Sequence, residues 1–433
     1  MQYIPQILFL LILLGGVGFF AKNVKSLVRN IKLGRAVNRT DRKSERLGNM
    51  VKIALGQSKM VRRPVSGILH IVVYVGFILI NIEVLEIVID GLLGTHRIFL
   101  EPLGSSIYGF LVGTFEVLAL LVLVAVVIFW LRRNALKIAR FWSSEMKGWP
   151  KDDANYILYF EVVLMSLFLV MNATDTGIQT AGIGNPISQF IAPWFSSLSA
   201  DTLHLVERSA WWLHIVGILI FLNYLYYSKH LHILLAFPNT YFADLNPQGQ
   251  FDNLESVQKE VELMMDPDAD PYAAMDEDAG EPESFGASDV TDLSWVQIMN
   301  AYTCTECGRC TSSCPANETG KMLSPRAIMM KTRDRAEEVG KLLDKGEEIN
   351  EDNKLLGNYI TPEELWACTS CNACVEECPV NINPLSIITD MRRFMVMEES
   401  SAPQELNIMM TNIENNGAPW QYNQMDRLNW KDE

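Results

Sequence analysis

Long apolar runs dominate the first half of the chain, and shorter mixed segments follow. Five runs approach or exceed the roughly 20 residues that a hydrocarbon core of about 30 Å asks of a helix. They extend from Tyr3 to Phe20, Val65 to Ile89, Ile107 to Leu131, Tyr156 to Ala173 and Leu203 to Tyr227. The connections between them differ in charge. Lys22 to Arg63 holds 13 Lys or Arg against two acids, Asp41 and Glu45, and Arg132 to Asn155 holds six bases. Leu93 to Ser106 holds one, Arg97, and Thr174 to Leu205 none. Basic connections stay on the cytoplasmic side of a membrane. The pattern therefore predicts an N-terminus outside and everything after Lys229 in the cytoplasm. The first run has no positive leading region and no small-residue cleavage site, so it reads as a span and not as a cleaved signal peptide.

The second half reads differently. Asp252 to Asp292 carries 14 acids against one base, Lys259, with Pro267, Pro271, Pro282 and the run Asp276-Glu277-Asp278. Such a stretch cannot bury enough apolar surface to order itself and predicts a solvated tether, with a short amphipathic helix at Leu254 to Met265. Order is expected to return near Phe285, where Leu293, Trp295, Ile298 and Met299 supply apolar anchors. Ser324-Pro325 and Thr361-Pro362-Glu363-Glu364 read as helix starts, with a cap followed by proline at the first turn. The expected fold class is all-α: a five-helix transmembrane bundle at 1–240, an acidic linker at 241–284, an α-helical two-cluster ferredoxin domain at 285–400, and a tail at 401–433.

Composition sharpens this division. The chain is 49% apolar and only 20% charged, yet its net charge is −15. Apolar and acidic character sit in different halves. That excludes a single globular fold, full disorder, and a nucleic-acid binder relying on positive charge.

All eight cysteines follow residue 300 and fall into two identical frames. Cys304, Cys307, Cys310 and Cys314 precede Pro315, and Cys368, Cys371, Cys374 and Cys378 precede Pro379. Each frame reads C-x2-C-x2-C-x3-C-P, the spacing of two-cluster ferredoxins, in which the fourth cysteine of each run ligates the other cluster. One [4Fe–4S] cluster is thus expected on Cys304, Cys307, Cys310 and Cys378, and a second on Cys368, Cys371, Cys374 and Cys314. Zinc sites favour paired C-x2-C elements, and disulfides do not persist in a reducing cytoplasm.

The membrane half offers histidines. His70, His214, His230 and His232 fall in or beside the second and fifth runs, where a polar ring needs a partner. His96 and His204 read as interfacial anchors. Two imidazoles from neighbouring helices can hold a haem iron between them. His70, six residues after Pro64, matches the depth of His232 or His230, so one haem b is supplied with ligands. On an unbroken fifth helix, His214 and His232 would stand roughly 27 Å apart, a separation that suits two stacked haems. The second run, however, has no deeper histidine for His214. That residue is left to hold a second haem with another partner, to bond a quinone, or to face a polar neighbour. Glu83 and Glu116 fall in the outer half near His214 and are candidates for a quinone site. Glu86 and Glu161 read as buried hydrogen-bonding or snorkelling groups.

The stretch from His214 to His232, with Ser228-Lys229 before His230-Leu231-His232, resembles the last helix of the nitrate reductase gamma subunit. That family places two haem b ligands at these two histidine positions and has the same outside-first, five-span plan. The resemblance covers about Pro64 to Phe237. It departs in helix two, where the family has two histidines ten apart and this chain has Met60 and Ile80 around His70. The text around the cysteines, from Tyr302 to Arg326 and from Leu365 to Val380, is similar to the heterodisulfide reductase C-like ferredoxin family. Together the halves look like membrane iron–sulfur oxidoreductases of the electron-transfer-flavoprotein:menaquinone oxidoreductase type. The resemblance implies respiratory electron transfer in a bacterial inner membrane, with quinone as substrate. It also implies a cytoplasmic partner, either an electron-transfer flavoprotein or a cysteine-rich heterodisulfide reductase-like subunit. The tail around Trp420 and Trp430 is apolar enough either to dock such a partner or to lie as a strap against its own ferredoxin domain. The alternative is a membrane anchor and docking scaffold carrying two clusters without haem or quinone chemistry. No nucleophile–base pair or nucleotide loop is visible, so the chain is expected to supply no catalytic residue beyond electron transfer.

Overall fold

The computed structural model describes residues 3–267 and 285–432. Among these residues every regular element is helical, and two isolated backbone bridges are the only strand-like pairing. Five helices are long and apolar enough to cross a membrane: α1 (Ile4–Ile31), α2 (Pro64–Leu93), α3 (Leu100–Trp130), α4 (Trp149–Thr174) and α5 (Ala200–Tyr224). Each pairs with its neighbour in sequence, and α1 also packs on α5, which closes the bundle. Phe9, Ile80, Phe115, Phe168 and Ile215 fill the interior, while Leu11, Ile68, Phe110 and Leu213 point outward, as lipid contact requires. Helices approach closely where side chains are small: a Cβ on Gly76 would lie 2.5 Å from a Val122 methyl.

The helices outrun the apolar runs that predicted them, because polar residues can continue a helix beyond the hydrocarbon layer. Pro64 sits in the first turn of α2, and Gly94, at φ 74°, ends it. The first helix continues past Phe20 to Ile31, where Asn30 Nδ2 donates to Tyr302 Oη at 3.0 Å and Arg29 Nη2 donates to the Gly340 carbonyl at 2.9 Å.

The fifth helix corrects the expectation of an unbroken rod. It stops at Tyr224, Ser228 is extended (φ −113°, ψ 148°), and the chain restarts through a tight turn at Lys229–Leu231 as α6 (His232–Tyr241). Side-chain acceptors replace the helical carbonyls here. Asp153 accepts from Tyr224 Oη at 2.6 Å and from the Lys229 N–H at 3.1 Å, and Ser228 Oγ accepts from the His230 N–H at 3.1 Å. The 27 Å separation of His214 and His232, which assumed helical rise throughout, does not apply.

A short α7 (Glu255–Met265) matches the amphipathic helix expected in the linker. The expected tether residues Pro271, Asp276-Glu277-Asp278 and Pro282 lie outside the described residues. The remainder is built on α8 (Trp295–Thr303), α9 (Pro325–Lys345), α10 (Pro384–Met397) and α11 (Gln404–Asn416). Both predicted caps are present: Ser324 Oγ accepts from Ala327 N, and Thr361 with Glu364 forms a reciprocal capping box. Ile298, Ile328, Val339, Ile387 and Met391 make its core. Leu27, Leu231 and Leu235 of the first half join that core, so the two halves share an interior. After α11, Trp420, Met425 and Trp430 are exposed.

Candidate functional site

The two cysteine runs share a backbone shape. Glu306 and Gly308 have positive φ (53° and 70°) in the first run, and Ser370 and Asn372 at the corresponding positions of the second have 55° and 61°. Left-handed residues set between ordinary ones turn successive N–H groups to one side, making a concavity for anions. Thiolates are such anions. Ser370 N donates to Cys368 Sγ at 3.4 Å and Ile382 N to Cys378 Sγ at 3.3 Å.

The runs exchange their last cysteines. Cys314 joins Cys368, Cys371 and Cys374 around a small pocket walled by Leu323 and Ile388. Cys378 lies with Cys304, Cys307 and Cys310. Burial, reinforced by neighbouring thiolates, pushes Cys304 and Cys374 up to about 12 and Cys378 to about 11. Such crowded thiols ionise together only around cationic metal. Among the described residues, however, no three Cys, His, Asp or Glu side chains converge on a single ion. Four sulfurs around a cavity suit a cluster, which is wider than one metal atom.

Both runs rest on the basic end of the bundle. Arg309 donates to the Lys59 and Met60 carbonyls at 3.2 Å each and reaches Ser66 Oγ at 3.5 Å. Arg63 pairs with Glu377 at 2.9 Å and Arg62 with Glu376. Glu306, between Cys304 and Cys307, pairs with Lys229 and, at 2.9 Å, with Arg333. The Lys229 and Arg333 charges overcome burial and hold the Glu306 carboxyl below its ordinary value.

Directly beyond that junction stand three histidines. The His70 and His232 rings are 6.3 Å apart at 43°, and His230 lies 5.4 Å from His232, edge to face. His232 Nδ1 donates to the Lys229 carbonyl at 3.1 Å, which leaves Nε2 as the lone-pair nitrogen. His70 Nδ1 is buried without a hydrogen-bond partner. Two imidazole nitrogens, each about 2.0 Å from one metal atom, put their ring centroids about 6 Å apart. The pair is therefore spaced so that both rings could ligate one metal atom. His214 is separate: it is buried in α5 against Phe168, 6.1 Å between rings, and no second histidine packs on it among the described residues.

At the opposite end of the bundle, Arg97 gathers the carboxylates. It donates to Glu83 Oε1 at 2.9 Å and to Asn172 Oδ1 at 2.6 Å, and lies 3.4 Å from Asp175. Asn172 Nδ2 donates in turn to Glu116 Oε1 at 3.1 Å. Glu116 also accepts from the Ile187 and Ser188 N–H groups at 2.9 and 3.0 Å. Glu83 and Glu116 thus belong to one network, whereas Glu86 is taken up by Tyr108 Oη and Phe99 N, both at 2.9 Å. His96, expected as an anchor, bonds Asp175 at 3.2 Å. A small cleft lies here between His96, Arg97, Arg208, Glu86 and Trp211.

Sequence reasoning brought together the cysteines, His70 with His232, and the two carboxylates. It missed Arg97, Asn172, Lys229, Glu306 and Arg309 as their organisers. Arg97 had a signal, being the one base in an otherwise base-free connection. The others had none, because their partners are distant in sequence.

The comparisons with known proteins bear on the cysteine runs. Residues 303–382 match the model of the 4Fe-4S dicluster domain, so the C-terminal half carries an iron–sulfur domain. The chain is 29% identical over 99% of its length to the protein named "Probable iron-sulfur-binding oxidoreductase FadF" of Bacillus subtilis, covering 61% of that protein. It is 25% identical over 92% of its length to the EtfAB:quinone oxidoreductase of Syntrophomonas wolfei, covering 55%. An iron–sulfur subunit of the CoB–CoM heterodisulfide reductase of Methanopyrus kandleri is 27% identical over 22% of this chain and 40% of its own length. The chain thus spans less than two thirds of the first two relatives. No solved structure matches.

Proposed function

We propose that this protein transfers respiratory electrons between a cytoplasmic donor or partner subunit and the quinone pool of a bacterial inner membrane, with its N-terminus outside. Cys304, Cys307, Cys310 and Cys378 would hold one [4Fe–4S] cluster, Cys368, Cys371, Cys374 and Cys314 the other, and His70 and His232 haem b. When bound, these groups exchange electrons one at a time. Their sites would then follow one another from the iron–sulfur domain into the bundle, by way of Arg309 and Lys229 at the junction. His214 is retained as a ligand of a second haem or a quinone contact, and His230 as the neighbour that walls the first. Quinone takes up two electrons and two protons, and the Glu83–Arg97–Asn172–Glu116 network is the proposed proton-handling site beside it. The exposed tail with Trp420 and Trp430 is the proposed docking segment. The partner would be an electron-transfer flavoprotein or a heterodisulfide reductase-like subunit.

One observation carries this reading: the 6.3 Å His70–His232 pair lies just beyond the cysteine runs, with the His232 tautomer already set for ligation. The alternative, an anchored ferredoxin without haem, draws on the solitary position of His214. A dithionite-reduced minus air-oxidised spectrum of the purified protein decides between them. The electron-transfer reading expects a b-type α band together with about eight non-haem irons, and a band smaller by one haem per chain in His70→Ala and His232→Ala. Eight irons with no haem in the unmodified protein would leave the anchor.

A further inference from the structure

Lys229 makes two kinds of connection at once. Its carbonyl accepts the His232 Nδ1 hydrogen at 3.1 Å. Its ammonium pairs with Glu306, inside the first cysteine run, donates to the Pro150 carbonyl at 2.5 Å, and stands 3.8 Å from Asp153. Its own N–H is held by Asp153 Oδ2 at 3.1 Å. Lys229 and Glu306 side chains are 9% and 2% exposed, and Arg333 holds the other Glu306 oxygen at 2.9 Å. The residue is therefore fixed on both sides of the carbonyl that orients the imidazole. The same carbonyl also accepts the His232 backbone N–H across the tight turn, so main chain and ring of His232 are both held to Lys229.

A partner that accepts from the second nitrogen of a ligating histidine fixes its ring orientation and raises its basicity, and its loss commonly costs about 10- to 100-fold in metal affinity or activity. We propose that Lys229 is a positioning residue that ties the first cysteine run to His232. The Glu306–Lys229 pair sets the pose of the carbonyl that orients the imidazole, so that order in the Cys304–Cys310 run is transmitted to the histidine. The inference rests on the reading of His232 as a haem ligand.

The test uses the full chain in detergent, comparing unmodified protein with Lys229→Met, Lys229→Arg and Glu306→Gln. Iron and haem per chain are counted, and the low-temperature paramagnetic resonance of the oxidised haem and its midpoint potential are recorded. Lys229→Met and Glu306→Gln are expected to keep about eight irons but to move the haem g values and midpoint in the same direction, with Lys229→Arg restoring both. Glu306→Gln keeps the shape of the site and decides alone if Lys229→Met does not assemble. Normal haem loading with g values and midpoint unchanged in these variants would overturn the inference and leave the haem reading intact. An unmodified protein that binds no haem would overturn the haem reading, and this inference with it.

Discussion

Arg335 shows at the residue scale how a charge can sit inside this fold. It is fully buried in α9 and meets the Asp289 carboxylate through two nitrogens, at 3.0 and 2.6 Å, and Glu338 at 3.0 Å. Asp289 also accepts from Val290 N and Leu355 N, so the pair pins two loops. Removing one member of a buried pair strands the other, at a cost of about 3–5 kcal/mol. Arg335→Met should lower the thermal midpoint of the protein well beyond the effect of an exposed change such as Lys341→Met. Asp175 makes a pH prediction. Burial alone would raise its carboxyl, but the His96 hydrogen bond and the Arg97 charge outweigh burial and hold it at about 2. A depressed carboxyl contributes stability above its unfolded value of about 3.9 and loses it as pH falls toward the folded value; the difference is roughly 2 kcal/mol. Asp175→Asn should therefore be less stable than the unmodified protein at pH 6, and the gap should close between about pH 4 and 2. A constant gap across that range in acid-unfolding curves would assign the stability to shape and not to charge.

At the scale of elements, what matters is how segments cross. After α1 the chain runs beside the start of α8: Arg35 N donates to the Leu293 carbonyl at 2.7 Å, and Trp295 N to the Arg35 carbonyl at 3.1 Å. Gly34 lies so close that a Cβ there would come within 2.6 Å of the Ser294 and Trp295 backbones. Backbone cannot rotate away as a side chain can, and overpacking of this kind costs typically about 1–3 kcal/mol. Gly34→Val should loosen the iron–sulfur domain from the bundle, read as faster proteolysis between the halves while the helical content of each stays unchanged. Helix starts are simpler. Ser324 and Thr361 were legible as caps because their hydrogen bonds reach only three residues along the chain. The break at Ser228 was not, because it depends on Asp153 arriving from another helix.

For the whole molecule, the exchange of cysteines between runs sets the clearest prediction. If Cys314 serves the same cluster as Cys371, Cys314→Ser, Cys371→Ser and the double variant should each retain about four irons, the content of the one remaining cubane. Were each run self-contained, the double variant would lose both clusters. Iron analysis with resonance spectra of the reduced protein separates the two cases. The shared core of Leu27, Leu231 and Leu235 with the iron–sulfur domain also predicts coupled unfolding of the halves, with no separate early transition of the C-terminal domain in a thermal scan.

By itself the sequence determined what depends on spacing along one chain. Five apolar runs of membrane length, two cysteine frames, the basic connections and the helix caps are local patterns, and local geometry constrains them strongly. It also placed His70 near His232, since one follows shortly after Pro64 at the start of its apolar run and the other lies just past Tyr227 at the end of its own. Only the tertiary structure decided what depends on which surfaces meet: the break in the fifth helix, the gathering of Glu83, Asn172 and Asp175 by Arg97, and the reach of Lys229 from a histidine to a cysteine run. Hydrogen bonds and ion pairs between residues far apart in sequence are selected by packing, and no spacing rule records them.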